Sequence, residues 1–339
     1  MSGLLDGLPP GLESRTRPAA PGVELAASPM LATLTDRREF PEGWVFERKL
    51  DGIRVLAVRE NGEVTLRSRS GRRLDATYPE IIEALAAQDR ADFTLDGEIV
   101  AYRHGRTDFG LLQQRMGLTR RADVAASKVA VTYYVFDLLR LDGVDVRRLP
   151  LRHRKSLLRR ALTFRAPVRL STHRNAGGPD LLADACRRGW EGLIAKRAES
   201  TYQPRRSDDW LKLKCSQGQE FVVGGFTEPA GSRTGLGALL VGYYDDTAAG
   251  ELRYAGKVGT GFDRRTLLDL RQRLDALEVD RSPFAGRLAQ RTAHWVRPAL
   301  VVQIDFAEWT RDGMLRHPRY QGVRDDKQPA DVVREQPES

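Results

Sequence analysis

From Trp44 onward the chain runs as short β-branched and aromatic stretches broken by turn signals, which restricts it to folds built on short-stranded sheets. In VRENGEV, Asn61-Gly62 separates two alternating runs, the composition of a two-residue type I′ hairpin. LDGEIVAY reads as a further strand, VTYYVFDLL as a buried one, and GLIAKR with DWLKLKC as a strand pair. Helical spacing is found over Pro79–Gln88, Leu151–Ala161 and Asp180–Arg188. Near Gln217-Gly218-Gln219 the composition shifts to Gly-rich short strands, EFVVGGFTE, GALLVGYYD, LRYAGKVG and VVQIDFAEWT, with one helix at Arg264–Leu277. Short strands around one helix suggest a small barrel of the OB type. Gly256, Gly259 and Gly261 do not follow the G-x-G-x-x-G order of a nucleotide loop and read as hairpin turns.

A chain of 339 residues exceeds what one hydrophobic core usually serves, so two domains are expected, with the boundary at that composition shift. Residues 1–28, rich in Pro, Gly, Ser and Ala without periodicity, read as a flexible arm without regular structure. Lys and Arg number 55 against 46 Asp and Glu, a net charge of +9, which favours a polyanionic partner such as nucleic acid. A solvated basic surface is the alternative. Cys186 and Cys215 are too few and too far apart for a disulfide framework or a four-cysteine zinc site, which fits a reducing cytosol. No apolar run approaches the length of a membrane span and the first residues lack a signal peptide's apolar stretch, so no membrane is expected and a cytoplasmic monomer is.

The chemistry centres on ERKLDGIR, Glu47 to Arg54, where a lysine precedes Asp-Gly between two strand-like runs and so lies near a turn. A lysine attacks only when neutral, and Lys49 therefore needs desolvation or adjacent positive charge to depress its pKa. Alone the tetrapeptide is also compatible with an exposed hairpin. In WLKLK, Lys212 and Lys214 are two apart and share one strand face, leaving Leu211 and Leu213 to pack on the other.

Downstream of Lys49 come SRSGR (Ser68 to Arg72), LDGEIV, YYVFDLL, EGLIAKR, WLKLK and RYQGVRDDK, with PMLATL, DFGLLQQR, GKVGTGFD and EWTRDG as further marks. In this order the chain, from Ser28 to Glu335, resembles the covalent nucleotidyltransferases. The closest resemblance is to bacterial ATP-dependent DNA ligases of the end-joining ligase D or stand-alone type.

The resemblance implies an α+β architecture. An adenylation domain with antiparallel sheets and flanking helices (residues 29–218) is followed by an OB-fold domain (219–330) and a tail (331–339), with an ATP cleft between the two domains. It makes Lys49 the nucleophile that carries AMP, with ATP as cofactor. It gives Glu47 the adenine amino edge, Arg54 the ribose and phosphate, and Arg69 the AMP and the 5′-phosphate of a nick. Phe136 would lie against adenine with Ile194 across the base. Lys212 and Lys214, with Lys196 joining them, would hold the α-phosphate. Arg324 and Lys327 would take the leaving phosphates. Glu98 and Glu191 would hold Mg²⁺ or Mn²⁺, hard cations suited to oxygen ligands. Where the family commonly has Gly-Arg-Ser, this chain has the more cationic Arg205-Arg206-Ser207, which either strengthens contact with the DNA backbone or marks a loop that needs no glycine.

The partner implied is nicked duplex DNA in a bacterial cytoplasm, near the nucleoid. Two domains of this size leave no room for polymerase or nuclease domains, so end-joining or repair proteins are expected to supply those activities. The rival readings are an RNA ligase or GTP-using capping enzyme, distinguished by the nucleotide attached, and a non-catalytic OB module, which would not need Lys49, Glu98, Glu191, Lys212 and Lys214 together.

Overall fold

The computed structural model describes residues 4–175, 177, 179–229, 234–245, 250–286, 288, 290 and 292–335. Its contacts divide it into two compact units, Met1–Cys215 and Ser216–Gln336.

The first unit has two sheets. Its principal strands are β1 (Leu31–Leu34), β2 (Trp44–Lys49), β3 (Ile53–Glu60), β4 (Glu63–Ser68), β5 (Phe93–Arg103), β6 (Val131–Leu141), β7 (Gly192–Arg197) and β8 (Arg206–Lys214). Its longer helices are α1 (Pro79–Ala86), α2 (Leu151–Ala161) and α3 (Pro179–Arg187). One sheet runs β6-β5-β3-β4, with Val144–Asp145 and then Arg17–Pro18 extending the β6 edge. The β3–β4 hairpin closes on Asn61 and Gly62, both at positive φ (53° and 82°), as the type I′ turn requires.

The second sheet is β2-β7-β8-β1, with His173–Arg174 on the outer edge of β2. Its registers align three rows across β2, β7 and β8: Val45, Lys196 and Trp210; Glu47, Ile194 and Lys212; Lys49, Gly192 and Lys214. The alternate residues Trp44, Phe46, Leu193, Ala195, Leu211 and Leu213 point to the other face, where they form a buried core with Leu182 and Ala185 of α3. Period-two alternation thus gives each strand one packed face and one polar face. At Gly192, φ is +150° and a Cβ would stand 1.9 Å from the Leu213 carbonyl oxygen, so only glycine lets β7 start this close to β8.

Two expectations are corrected. The first 28 residues are not a bare arm: Arg17–Pro18 pairs antiparallel with Val144–Asp145, and Leu8 and Leu25 are buried. Isolated apolar residues in a Pro- and Gly-rich leader give no periodicity, yet each can fill a gap in an existing core. Cys186 and Cys215 form a disulfide, because α3 packs on β7 and β8 and brings its last turn to the end of β8. Their separation of 29 residues along the chain says nothing about that neighbourhood.

The second unit has β9 (Gln217–Thr227), β10 (Leu239–Tyr244), β11 (Leu252–Val258), β12 (Ala293–Phe306) and β13 (Arg319–Val323) in one antiparallel sheet, ordered β11-β10-β9-β12 with β13 also on β12. Register shifts at Val223/Gly225 and Val241/Gly242 bend the strands, as bulges do. Helix α4 (Arg264–Asp275), capped by the Asp263 side chain, buries Leu267, Leu270 and Leu274 against the sheet's apolar face. Tail residues also pack here: Tyr244 N donates to Val332 O at 2.7 Å and Glu335 N to Gln219 Oε1 at 3.0 Å.

Candidate active site

Lys49 ends β2, and its ammonium is ion-paired with Glu191, the residue just before β7. Burial pushes the Lys49 pKa down, but Glu191, Asp51 and Glu98 together push it further up, so the net shift is above lysine's ordinary value. The charges nearest the ammonium are carboxylates, not the cations that would depress its pKa.

Glu98 is in mid-strand on β5, opposite Arg54 on β3. Arg54 donates to Asp96, and its Nη2 to the Met30 carbonyl at 3.1 Å, while its guanidinium lies 4.6 Å from the centre of the Phe136 ring. Asp96 also accepts from the Tyr202 hydroxyl at 2.6 Å. Burial alone would lower the Arg54 pKa, yet Asp96 raises it well above arginine's ordinary value, so this cation is fixed. Arg69 follows β4 directly, one residue past the Val55–Ser68 pair, at the start of a turn.

Across from this sheet, Ile194 stands between Glu47 and Lys212 in the middle row, and Lys214 completes the Lys49 row. Both lysines of WLKLK share the face of Lys49, as the alternation requires. Lys196 is placed differently from the expectation. Its Nζ is 3.1 Å from Glu47 Oε1 and lies over the rings of Phe136 (4.3 Å) and Trp210 (4.0 Å), so it belongs to the Glu47 cluster and not to the lysine pair. Burial pushes its pKa down to about 8 against the pull of Glu47.

Arg205 and Arg206 are both exposed, and Arg206 Nη1 donates to the Ala32 carbonyl at 2.6 Å. Arg205 lines two adjoining depressions, of about 380 Å³ with Thr33, Arg206 and Ser207, and about 330 Å³ with Arg17, Arg147 and Arg148. In the second unit Arg324 donates twice to the buried Asp326 at 2.8 Å, and Lys327 Nζ is 3.0 Å from Glu220.

Among the described residues no three His, Cys, Asp or Glu side chains form a metal-holding group. The donor chemistry nonetheless suits Mg²⁺ or Mn²⁺, since Glu191 and Glu98 both act on the charge of Lys49, and Mg²⁺ commonly takes one or two carboxylates with substrate phosphates completing its shell.

Asp96, Tyr202, Lys155 and Ser171 also belong to this region and were not singled out by sequence. Tyr202 gives no signal beyond its place in YQPRRS, and Lys155 is hidden in the basic helix LRHRKSLLRRA.

The family model described as ATP dependent DNA ligase domain matches residues 29–214, and that of the ATP dependent DNA ligase C terminal region matches 232–327. Pseudomonas aeruginosa "Multifunctional non-homologous end joining protein LigD" is 40% identical over 317 residues, covering 91% of this chain and 37% of that protein. The Mycobacterium tuberculosis "Multifunctional non-homologous end joining DNA repair protein LigD" is 41% identical over 302 residues, covering 86% and 37%. The chain thus spans little more than a third of these relatives. The solved "mycobacterial DNA ligase D complexed with ATP and MES" is 35% identical with a TM-score of 0.64, covering 92% of this chain and 99% of that one. The fold is the α+β one expected, an adenylation domain followed by an OB-fold domain. The chain belongs to the ATP-dependent DNA ligase family, in its LigD-type branch.

Proposed function

We propose that the chain seals nicks between a 3′-hydroxyl and a 5′-phosphate in duplex DNA, using ATP and a lysyl-AMP intermediate on Lys49, within end-joining repair. The observation that carries this is the row of Lys49, Gly192 and Lys214 beside that of Glu47, Ile194 and Lys212, with Glu191 on the Lys49 ammonium. Such a surface offers one nucleophile, one proton acceptor and fixed positive charge where phosphate charge develops.

In the first transfer Lys49 Nζ attacks the α-phosphorus; a P–N bond forms, the bond to pyrophosphate breaks, and the proton leaves along the contact to Glu191. In the second, a 5′-phosphate oxygen attacks the same phosphorus and the P–N bond breaks. In the third, the 3′-hydroxyl attacks the activated 5′-phosphate and AMP leaves. Lys212 and Lys214 hold the α-phosphate throughout, Arg54 the ribose side, and Phe136 with Ile194 the base. Glu98 and Glu191 would hold a divalent metal, which supplies charge neutralisation on the phosphates. Arg69 and Arg205 contact the nicked strand.

Incubation with α-labelled ATP should give an acid-labile protein adduct in the wild type and none in Lys49→Arg, whose guanidinium stays protonated. Lys49→Ala should still seal a nick that already carries 5′-AMP. An adduct surviving in Lys49→Arg places the nucleophile elsewhere.

A further inference from the structure

The Glu47 carboxylate is gripped from three directions. Lys155 Nζ of α2 is 2.7 Å from Oε1, Lys196 Nζ of β7 is 3.1 Å from the same oxygen, and Ser171 Oγ donates to Oε2 at 3.1 Å. All four side chains are buried. Burial pushes the carboxyl's pKa up, but the two ammonium groups outweigh it and hold Glu47 below the usual carboxylate range. A carboxylate offers about four lone-pair positions, so three contacts leave one. The chemistry of the known transfers needs none of Lys155, Ser171 or this doubled cation. A single cation would suffice to neutralise the charge; contacts to both oxygens from separate elements also fix the rotation of the carboxylate plane.

Bases differ at the edge such a group can read. Adenine presents an exocyclic amino donor where guanine presents a carbonyl acceptor. An ionised carboxylate accepts from the first and repels the second, and it does so only when its free lone pair is aimed at the base. A site built to pair with a donor rejects an analogue lacking it strongly, because the buried acceptor is then left unpaired.

We propose that Lys155 is a positioning residue for nucleobase selection, which with Ser171 locks the Glu47 carboxylate so that its remaining acceptor position selects adenine over guanine. This rests on the reading of Glu47 as the residue that contacts the base. Lys196 is poorly suited to serve alone. Both lysines meet Oε1, but Lys196 does so at the longer distance, and its ammonium is shared with the faces of Phe136 and Trp210.

The test measures self-nucleotidylation of the full chain with α-labelled ATP and α-labelled GTP over a concentration series. Lys155→Met should lower the ATP-over-GTP ratio of kcat/KM by about 10-fold or more, chiefly through KM for ATP. Ser171→Ala should lower it less, and Lys155→Arg should restore most of it. A purely structural role would slow both nucleotides equally and leave the ratio unchanged, which overturns the proposal. Glu47→Gln separates the two levels. If it abolishes the preference while Lys155→Met and Ser171→Ala keep it, the base-reading role stands and the positioning role falls; if Glu47→Gln also keeps it, both fall. Should Lys155→Met fail to fold, Ser171→Ala decides, an unchanged ratio there being the contrary result.

Discussion

Arg154 and Asp137 are both fully buried, and the guanidinium donates to both carboxylate oxygens at 2.8 Å and to the Leu149 and Ser200 carbonyls at 2.6 and 2.9 Å. Because Asp137 follows Phe136 on β6, this pair anchors the strand that carries the proposed base platform. Removing one partner of a buried pair strands the other charge, at a cost of about 3–5 kcal/mol, whereas removing both can be nearly neutral. Arg154→Ala should therefore lower the thermal unfolding midpoint sharply, and Arg154→Met with Asp137→Leu should recover much of the loss. Equal midpoints for the single and double variants would mean that the cost is packing and not stranded charge. Lys49 shows the opposite use of charge at this scale. Its ammonium is stabilised by the surrounding carboxylates Glu191, Asp51 and Glu98.

At the scale of elements, the turn after β13 carries Arg324, Asp326 and Lys327. Burial pushes the Asp326 carboxyl up, but Arg324 and Lys327 outweigh it and hold it below its ordinary 3.8. A depressed carboxyl adds stability above its unfolded pKa and loses it as pH falls through the folded one. The difference in melting temperature between wild type and Asp326→Asn should thus be full at neutral pH and shrink below about pH 4; a gap independent of pH would contradict the ion pairing. Since Arg324 donates two hydrogen bonds directly to this buried acid, while Lys327 acts on it through its charge, Lys327→Ala is the cleaner probe of phosphate contact. It should slow Lys49 adenylation by about 10²-fold while pre-adenylated nicks are sealed near the normal rate, measured side by side. Loss of both steps together would mean the turn serves the DNA-bound state.

The strands were legible in sequence where one periodicity governs them. Lys212 and Lys214 could be assigned a common face because Leu211 and Leu213 had to pack on the other, and the Asn61-Gly62 turn needs positive φ at both residues. The placement of Lys196 was not legible, because alternation gives its face but not which end of the row it serves. Lys155 was hidden more deeply, since a lysine in a helix of arginines reads as solvated until Glu47, 108 positions earlier, is found beneath it. The disulfide depends on how α3 crosses β7 and β8, which local pattern does not encode.

For the molecule as a whole, a net charge of +9 and the arginines around the Arg205 depressions favour binding through phosphates. Affinity for nicked duplex should fall steeply with salt, the logarithmic slope decreasing by about 0.9 for each phosphate contact removed. Arg205→Ala should flatten that slope by about one contact, and Arg206→Ala by less because Arg206 is already engaged with Ala32. Binding titrations at several ionic strengths decide it, and an identical slope for Arg205→Ala would leave that loop merely solvated.

The two-faced rows of β2, β7 and β8 set what kinds of genetic change this chain can survive. Deleting one residue inside β7 would swap Ile194 and Lys196 for Leu193 and Ala195 on the polar face and drive an ammonium into the core beneath α3. The connector between Arg197 and Arg206 carries no such parity, yet Ser200 and Tyr202 tie it to Arg154 and Asp96. Length variation among descendants of this sequence should therefore spare the strands and this connector alike and collect in loops that carry neither parity nor such contacts.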